Sequence, residues 1–191
     1  YDQMAYYPLL MLQVLGLIMG KNRDTQTSLG RGYVDGNAGY ATTGNTNTKG
    51  LFYGESTGRL QNKFCGIEDF YGNYYYWIDG LFCNASRNIL INSQNFNDTG
   101  SGYVNFGQGA TANLGGYVGA VQGGTETGFI AKTTTGSATT HFADYGSLYA
   151  GSLPIFGGNR SDWSDAGAFL LRVNYSAAFA VAYLSARLCF M

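Results

Sequence analysis

The 191-residue chain is long enough for one sizeable domain with its own hydrophobic core. Only 12% of its residues are charged and the formal net charge is -1, which excludes the basic surface typical of nucleic-acid-binding proteins. Apolar residues make up 45% of the chain, which excludes intrinsic disorder, and the 29 glycines indicate many turns.

The chain begins with an apolar segment. Residues 4–19 are nearly all apolar or aromatic and Gly20 follows them, which predicts a helix that ends at a glycine. A membrane span needs about 20 apolar residues, so this segment is too short, and it lacks the basic start and cleavage site of a signal peptide. We expect the helix to be buried against the domain or between subunits.

The next segments are rich in turn residues. Residues 22–63 are dense in Gly, Asn and Thr, which predicts loops and short strands. Residues 99–152 place short aromatic or aliphatic patches between glycines, as in GYVNFGQG, and this pattern is typical of β-hairpins with tight turns. The patches have irregular spacing, so they do not form an internal repeat.

Two segments carry a resemblance to a known family. Residues 66–81, GIEDFYGNYYYWIDGL, predict an aromatic core segment, and residues 157–190 begin with a Gly-Gly turn and end on Ala-Arg-Leu before the last residues. Together they resemble the C-type-lectin-like family that includes formylglycine-generating enzymes and the variable proteins of diversity-generating retroelements. The resemblance covers mainly residues 64–83 and 153–190. Relatives often carry Trp soon after Gly-Gly and a later Gly, whereas this chain has Arg160 and then Trp163.

The resemblance implies an α+β, C-type-lectin-like fold over residues 64–191, with glycine-rich β-hairpin insertions, and with the N-terminal helix and loops of residues 1–63 packed on it. Residues 157–188 would be the variable region, whose changeable side chains contact the ligand. The function implied is binding of a host cell-surface protein or glycan, at a phage tail-fibre tip or another extracellular surface. A homotrimer is expected, without membrane insertion, and the alternative is a cell-surface adhesin or a non-diversified binding domain.

An alternating pattern near the C-terminus also suggests a display surface. Over residues 178–183 alanines alternate with Phe179, Val181 and Tyr183, and a strand would place these two sets on opposite faces. We expect the larger side chains to be displayed. The alternative is that they form the core face while the alanines lie outside.

A polar cluster just before this pattern favours display. It mixes charged side chains with an aromatic one, as binding surfaces with adjustable hydrogen bonds do, although a solvated turn is the alternative interpretation. The predicted ligand-binding patch consists of Asn159, Arg160, Ser161, Asp162, Trp163, Asp165, Arg172, Asn174, Tyr175, Phe179, Val181 and Tyr183.

Two other functions of the family are poorly supported. An enzyme of the formylglycine-generating type needs redox-active or copper-binding cysteines near the C-terminal segment, where only Cys189 is found. A calcium-dependent lectin normally carries a Glu-Pro-Asn or Gln-Pro-Asp triplet, and neither Pro8 nor Pro154 lies in one. We therefore expect no catalytic site, cofactor or metal. Cys65 and Cys83 could form a disulfide, but reduced, partly buried thiols are the favoured interpretation.

The remaining polar side chains are interpreted as structural. Glu68, Asp69 and Asp79 match no EF-hand spacing, so we expect them to cap turns and tie the backbone. His141 is the only histidine and adjoins no nucleophile motif, which favours a hydrogen-bonded structural role. Arg187 is expected to bind backbone carbonyls or a carboxylate beneath the loops.

Overall fold

The computed structural model describes residues 4–5, 43–51, 53, 61–64, 66–137, 144–162, 165–167 and 169–186. Short β-strands dominate this part of the chain. In chain order they are β1 (Met4–Ala5), β2 (Lys63–Phe64), β3 (Ile67–Glu68), β4 (Tyr75–Asp79), β5 (Leu81–Cys83), β6 (Asn88–Ile91), β7 (Val104–Gln108), β8 (Leu114–Tyr117), β9 (Ala120–Val121), β10 (Ala131–Thr133), β11 (Tyr145–Leu148), β12 (Leu153–Phe156), β13 (Leu171–Tyr175) and β14 (Leu184–Ser185).

A seven-stranded sheet organises the described residues, in the order β1-β4-β12-β13-β11-β8. Two short strands pair in parallel with β4: β14 pairs with its first half and β1 pairs with its second half. The β4-β12, β12-β13 and β11-β8 pairs are antiparallel, and β11 runs parallel to β13. Three smaller sheets, β5-β6-β7, β9-β10 and β2-β3, complete the strand pairing.

The sequence of β4 explains its central position. Aromatic and β-branched side chains favour strands, and a strand covered on both faces has a continuous apolar sequence. The strand reads YYWID, and its first four residues are buried. Because successive side chains point to opposite faces, Tyr76 and Ile78 lie on one face of the sheet, and Tyr75 and Trp77 lie on the other.

The first face of the sheet carries the main hydrophobic core. Phe156 packs against Phe70 with ring centroids 5.0 Å apart, and Phe70 stacks on Phe64 at 5.1 Å. The smaller β5-β6-β7 sheet contributes buried residues to this core, and its outer strand β7 is exposed along its whole length. The sheet residues of the first face are Tyr76, Ile78, Leu148, Phe156, Leu171 and Val173.

The second face of the sheet is covered by the C-terminal part of the chain. Phe179, Tyr183 and Leu184 are partly buried and pack against this face. The backbone N–H of Tyr75 donates to the carbonyl of Tyr183 at 3.0 Å, which fixes the C-terminal segment beside β4. The buried residues that define the second face are Tyr75, Trp77, Leu153, Ile155 and Leu170.

The predicted α+β, C-type-lectin-like fold is wrong in its class, because the regular structure of the described residues is β-strand and no α-helix occurs among them. The N-terminal helix predicted over residues 4–19 fails at its start, since Met4–Ala5 pairs as a strand with Ile78 and Asp79. Residues 6–19 lie outside the described residues. The error has a physical reason, since an apolar segment cannot by itself distinguish a buried strand from a buried helix. The described part of the chain contains no helix that is long and apolar enough to cross a membrane.

Candidate functional site

The two sequence segments that carry the family resemblance lie side by side in the structure. The N–H of Gly72 donates to the carbonyls of Gly157 and Gly158, at 3.1 and 3.2 Å. Both residues of the Gly-Gly turn have positive φ, and neither has room for a side chain: a Cβ would lie 3.2 Å from Cα of Tyr71 at the first position and 2.7 Å from Cβ of Ala166 at the second. The turn therefore depends on glycine at both positions.

Arg172 of β13 is the polar centre of the second face. One guanidinium nitrogen donates to the hydroxyl of Tyr75 at 2.7 Å, and another lies 3.4 Å from a carboxylate oxygen of Asp162 and of Asp165. The guanidinium carbon is also 4.4 Å from the ring centroid of Tyr145 and 5.5 Å from that of Tyr75. The side chain is only 14% exposed, so these contacts compensate for the water that it has lost.

The hydroxyl of Tyr75 links this arginine to the acidic residues. Burial raises the pKa of the Tyr75 phenol far above its usual value, and the nearby Arg172 offsets only part of that rise. The phenol therefore stays protonated, accepts a hydrogen bond from the guanidinium and donates one to Asp162. The pKa of Arg172 is itself raised despite its burial, because Tyr75 and Asp162 favour the charged form.

Aromatic rings extend from Arg172 in both directions along the second face. On one side the ring of Tyr145 meets Tyr117 at 6.3 Å, and on the other Tyr75 contacts Tyr183 at 6.0 Å and Tyr175 at 6.5 Å. All of these rings except that of Tyr75 are half-buried. We call this set, with Phe179 next to Tyr175 at 4.1 Å, the aromatic row. It consists of Tyr75, Tyr117, Tyr145, Tyr175, Phe179 and Tyr183.

Residues 178–183 are not a strand, so that prediction is wrong. The N–H of Phe179 bonds to the carbonyl of Ser176 at 3.0 Å, and the N–H of Leu184 to that of Val181 at 3.2 Å, which are turn contacts. The alternation in burial still exists. Ala178, Ala180 and Ala182 are exposed, while Phe179, Val181 and Tyr183 are half-buried. Phe179 and Tyr183 pack against the sheet, as in the alternative interpretation, although they keep part of their surface in solvent.

The predicted patch divides into an open part and a buried part. Asp162, Asp165, Arg172, Asn174, Tyr175, Phe179, Val181 and Tyr183 are half-buried, and Ser161 is exposed. Asn159 and Arg160, in contrast, are 5% and 6% exposed. The N–H of Asn159 donates to Asp162 at 2.8 Å and its side-chain oxygen accepts from the N–H of Ser161 at 2.7 Å, so this residue builds the turn from inside. Trp163 lies outside the described residues.

Two acidic residues act as ties, as the sequence predicts. Glu68 accepts hydrogen bonds from the N–H of Gly44 at 2.6 Å and from the N–H and hydroxyl of Thr46, both at 2.7 Å. Although burial alone would raise it, these donors hold the pKa of the Glu68 carboxyl below its usual value. Asp69 accepts from the side-chain amides of Gln61 and Asn73, at 2.5 and 2.9 Å. Neither residue is available for a ligand.

The described part of the chain holds no group of three or more His, Cys, Asp or Glu residues that could bind a metal ion. Cys83 is a buried free thiol, and burial raises its pKa to about 11, so it stays protonated. Its suggested partner Cys65 lies outside the described residues, as do His141, Arg187 and Cys189.

A cleft that the sequence did not predict borders the aromatic row. It has a volume of about 190 Å³ and opens between the end of β4, the start of β12 and the loop of residues 92–99. Burial, together with the charge of Asp98, raises the pKa of the Asp79 carboxyl to about 6. The lining residues are Trp77, Asp79, Phe96, Asn97, Asp98, Leu153 and Ala177. Asp79 was predicted from the sequence to be a structural tie, and Asp98 carried no signal that singled it out.

Comparisons with protein-family models, with curated proteins and with solved structures give no match to this chain. The chemistry of the site is therefore inferred from its own residues. These offer exposed small side chains beside half-buried rings, on a scaffold that Arg172 helps to fix.

Proposed function

We propose that this chain is a ligand-binding protein, and that the aromatic row together with its neighbouring alanines contacts a host cell-surface protein or glycan. The observation that carries the proposal is that rings on the second face remain half-exposed although Arg172 and the sheet hold them in place. Tyrosine has few rotatable bonds, so it provides a large contact area at a low entropic cost. Rings that are held in place before binding lower that cost further.

The exposed positions in the C-terminal region support the proposal that this surface can be diversified. Ser161, Ala178, Ala180 and Ala182 are all exposed. Side chains at such positions can change in size and charge without creating a cavity or overfilling the core. The half-buried rings beneath them would remain as the constant part of the surface.

The resemblance of residues 66–81 and 157–190 to retroelement variable proteins supports a proposal about the particle that displays this surface. On that basis the protein sits at a phage tail-fibre tip as a homotrimer. A reverse transcriptase gene beside a near-copy of the DNA encoding residues 157–188, differing mainly at adenines, would support the diversification. A clean monomer at micromolar concentration in light scattering would contradict the trimer.

A matched pair of substitutions tests the binding surface. We expect Ala180→Glu to abolish binding, because it places a charged side chain among the rings, and Ala85→Glu to leave binding intact, because that exposed residue lies in the turn between β5 and β6. Both variants should melt like the parent, since neither residue is in the core. The labelled proteins are assayed on a panel of bacterial cells and on a glycan array. Equal binding by the two variants, or binding by neither the parent nor the variants to any surface, would contradict the proposal.

A further inference from the structure

The cleft beside the aromatic row has apolar walls and an acidic mouth. Trp77 and Leu153 are buried at 5% exposure and line its inner part, whereas Phe96 and Asp98 are exposed at its opening. Its volume of about 190 Å³ is several times the ~30 Å³ share of one water molecule in the liquid, so it has room for the end of a long side chain.

The amide of Asn97 also lines the cleft, but it is engaged in holding the loop. Its oxygen accepts from the N–H and hydroxyl of Thr99, at 3.1 and 2.8 Å, and from the N–H of Ser101 at 3.0 Å. Its nitrogen donates to the carbonyl of Ser101 at 2.9 Å. The hydroxyl of Tyr103 bonds to the N–H and carbonyl of the same asparagine, at 2.9 and 3.2 Å. These bonds keep Phe96 and Asp98 in place around the opening.

The charged groups on the cleft wall are two carboxylates, Asp79 and Asp98, and ionised carboxylates accept hydrogen bonds without donating any. The partial burial of Asp79 and its repulsion with Asp98 disfavour the doubly charged state, and the N-terminal ammonium of the chain offsets only part of this effect. A bound cation would offset more of it. Burial raises the pKa of the Tyr103 phenol, and the charges of Asp79 and Asp98 raise it further. Phe96 and Trp77 also line the cleft, and aromatic rings of this kind attract cations over their faces.

We infer that this cleft binds a cationic side chain, lysine or arginine, of a protein ligand. Such a side chain has an apolar stem and a charged end, which matches an apolar inner wall beside carboxylates. An amino sugar carries a positive charge but has no comparable stem. The inference rests on the proposed function, because Ala177 of the C-terminal turn lies at the edge of the cleft and joins it to the aromatic row. It adds the chemical class of the group that is recognised.

Small probes test the cleft without any knowledge of the natural ligand. The full chain is titrated with Nα-acetyl-lysine methylamide, with its Nε-acetylated neutral form, with glucosamine and with methyl glucoside, and backbone amide shifts are followed by NMR. We expect the charged lysine probe, and not its neutral form, to shift the amide signals of Phe96, Asn97 and Asp98. Binding should weaken as the pH falls below about 6, because Asp79 is then protonated.

The variant Asp98→Asn should bind the lysine probe about fivefold more weakly, the size expected for one exposed charge pair. Glu126→Gln removes the same charge away from the cleft and should change nothing. Equal shifts from the charged and neutral probes, shifts from the sugars alone, or no shifts would overturn the inference. If the lysine probe fails while Ala180→Glu still abolishes surface binding, the proposed function stands and the cleft inference falls. If the lysine probe binds but Ala180→Glu leaves surface binding unchanged, the cleft binds cations and the proposed function falls.

Discussion

The first and second faces of the seven-stranded sheet are built by the same central strands, yet they bury their side chains in different ways. On the first face Tyr76, Ile78, Phe156 and Val173 are at most 2% exposed and pack against other apolar residues. On the second face, Arg172 lies among half-buried rings, and carboxylates flank it.

The difference shows how one sheet can carry a buried core on one face and a partly open surface on the other. Side chains alternate between faces along each strand, so one sequence can place the most apolar residues on one side and polar or aromatic ones on the other. A fully buried apolar face supplies most of the free energy of folding, because the hydrophobic effect follows the area removed from water. The second face can then keep rings and charges partly open, as the proposed ligand-binding surface requires.

The largest effect is expected on the first face, for Phe156→Ala. This ring is fully buried against Phe70, and a buried Phe→Ala change costs about 3 to 5 kcal/mol of unfolding free energy. The matched control is Phe106→Ala on the exposed strand β7, where the ring is 40% exposed and the loss should stay under about 1 kcal/mol. Urea unfolding of both variants measures the difference. Similar losses would mean that the exposed strand β7 contributes as much to stability as the buried first face does.

An intermediate effect is expected on the second face, for Arg172→Met. The change keeps an apolar stem but leaves Asp162, Asp165 and the Tyr75 hydroxyl without their cation, and hydrogen bonds of charged groups are worth about 1.5 to 3 kcal/mol. Arg172→Lys keeps the charge but loses the planar fork, so it should fall between the parent and the methionine variant. Thermal melts measure stability, and near-ultraviolet circular dichroism reports on the tyrosines. A methionine variant as stable as the parent, with unchanged tyrosine signals, would show that the arginine does not hold the row.

The parts of this fold that could be predicted from sequence are those that depend on local composition. Residues 66–81 were predicted as an aromatic core segment, and Phe70, Tyr71, Tyr76 and Trp77 are indeed buried. Residues 4–19 were predicted to be a helix, but an apolar sequence without periodicity does not distinguish a helix from a strand. The strand at Met4–Ala5 forms because it pairs with β4, which lies far along the chain.

The candidate site shows the same limit. The sequence could group residues 159–165 as polar, but it could not show that Asn159 and Arg160 turn inward, because that depends on the positive-φ Gly-Gly turn before them. The cleft was missed for a related reason. Asp79 ends strand β4 and Asp98 lies in the loop after β6, so the two interact only once the intervening strands β5 and β6 have folded.

The smallest effect is expected at the cleft, for Asp79→Asn. The folded protein raises the pKa of this carboxyl from its ordinary value of 3.8 to about 6, chiefly through burial and then through the charge of Asp98. The folded state therefore binds a proton more tightly than the unfolded state does, and ionised Asp79 destabilises the protein once the pH rises through this interval. Below pH 3.8 the penalty is absent, and above about pH 6 it is fully present.

Asparagine has nearly the same shape and carries no charge, so Asp79→Asn should melt at a higher temperature than the parent at pH 8 and at the same temperature near pH 3.5. Because Asp79 is partly open to solvent, we expect a gain of at most about 1 kcal/mol. The variant Asp98→Asn removes only the repulsion, so its gain should be smaller and should shrink further in high salt. Melting curves between pH 3.5 and 8 check both expectations. If Asp79→Asn lowers the melting temperature at pH 8, the carboxylate stabilises the fold, and the second face does not carry the destabilising charge that the contrast with the first face predicts.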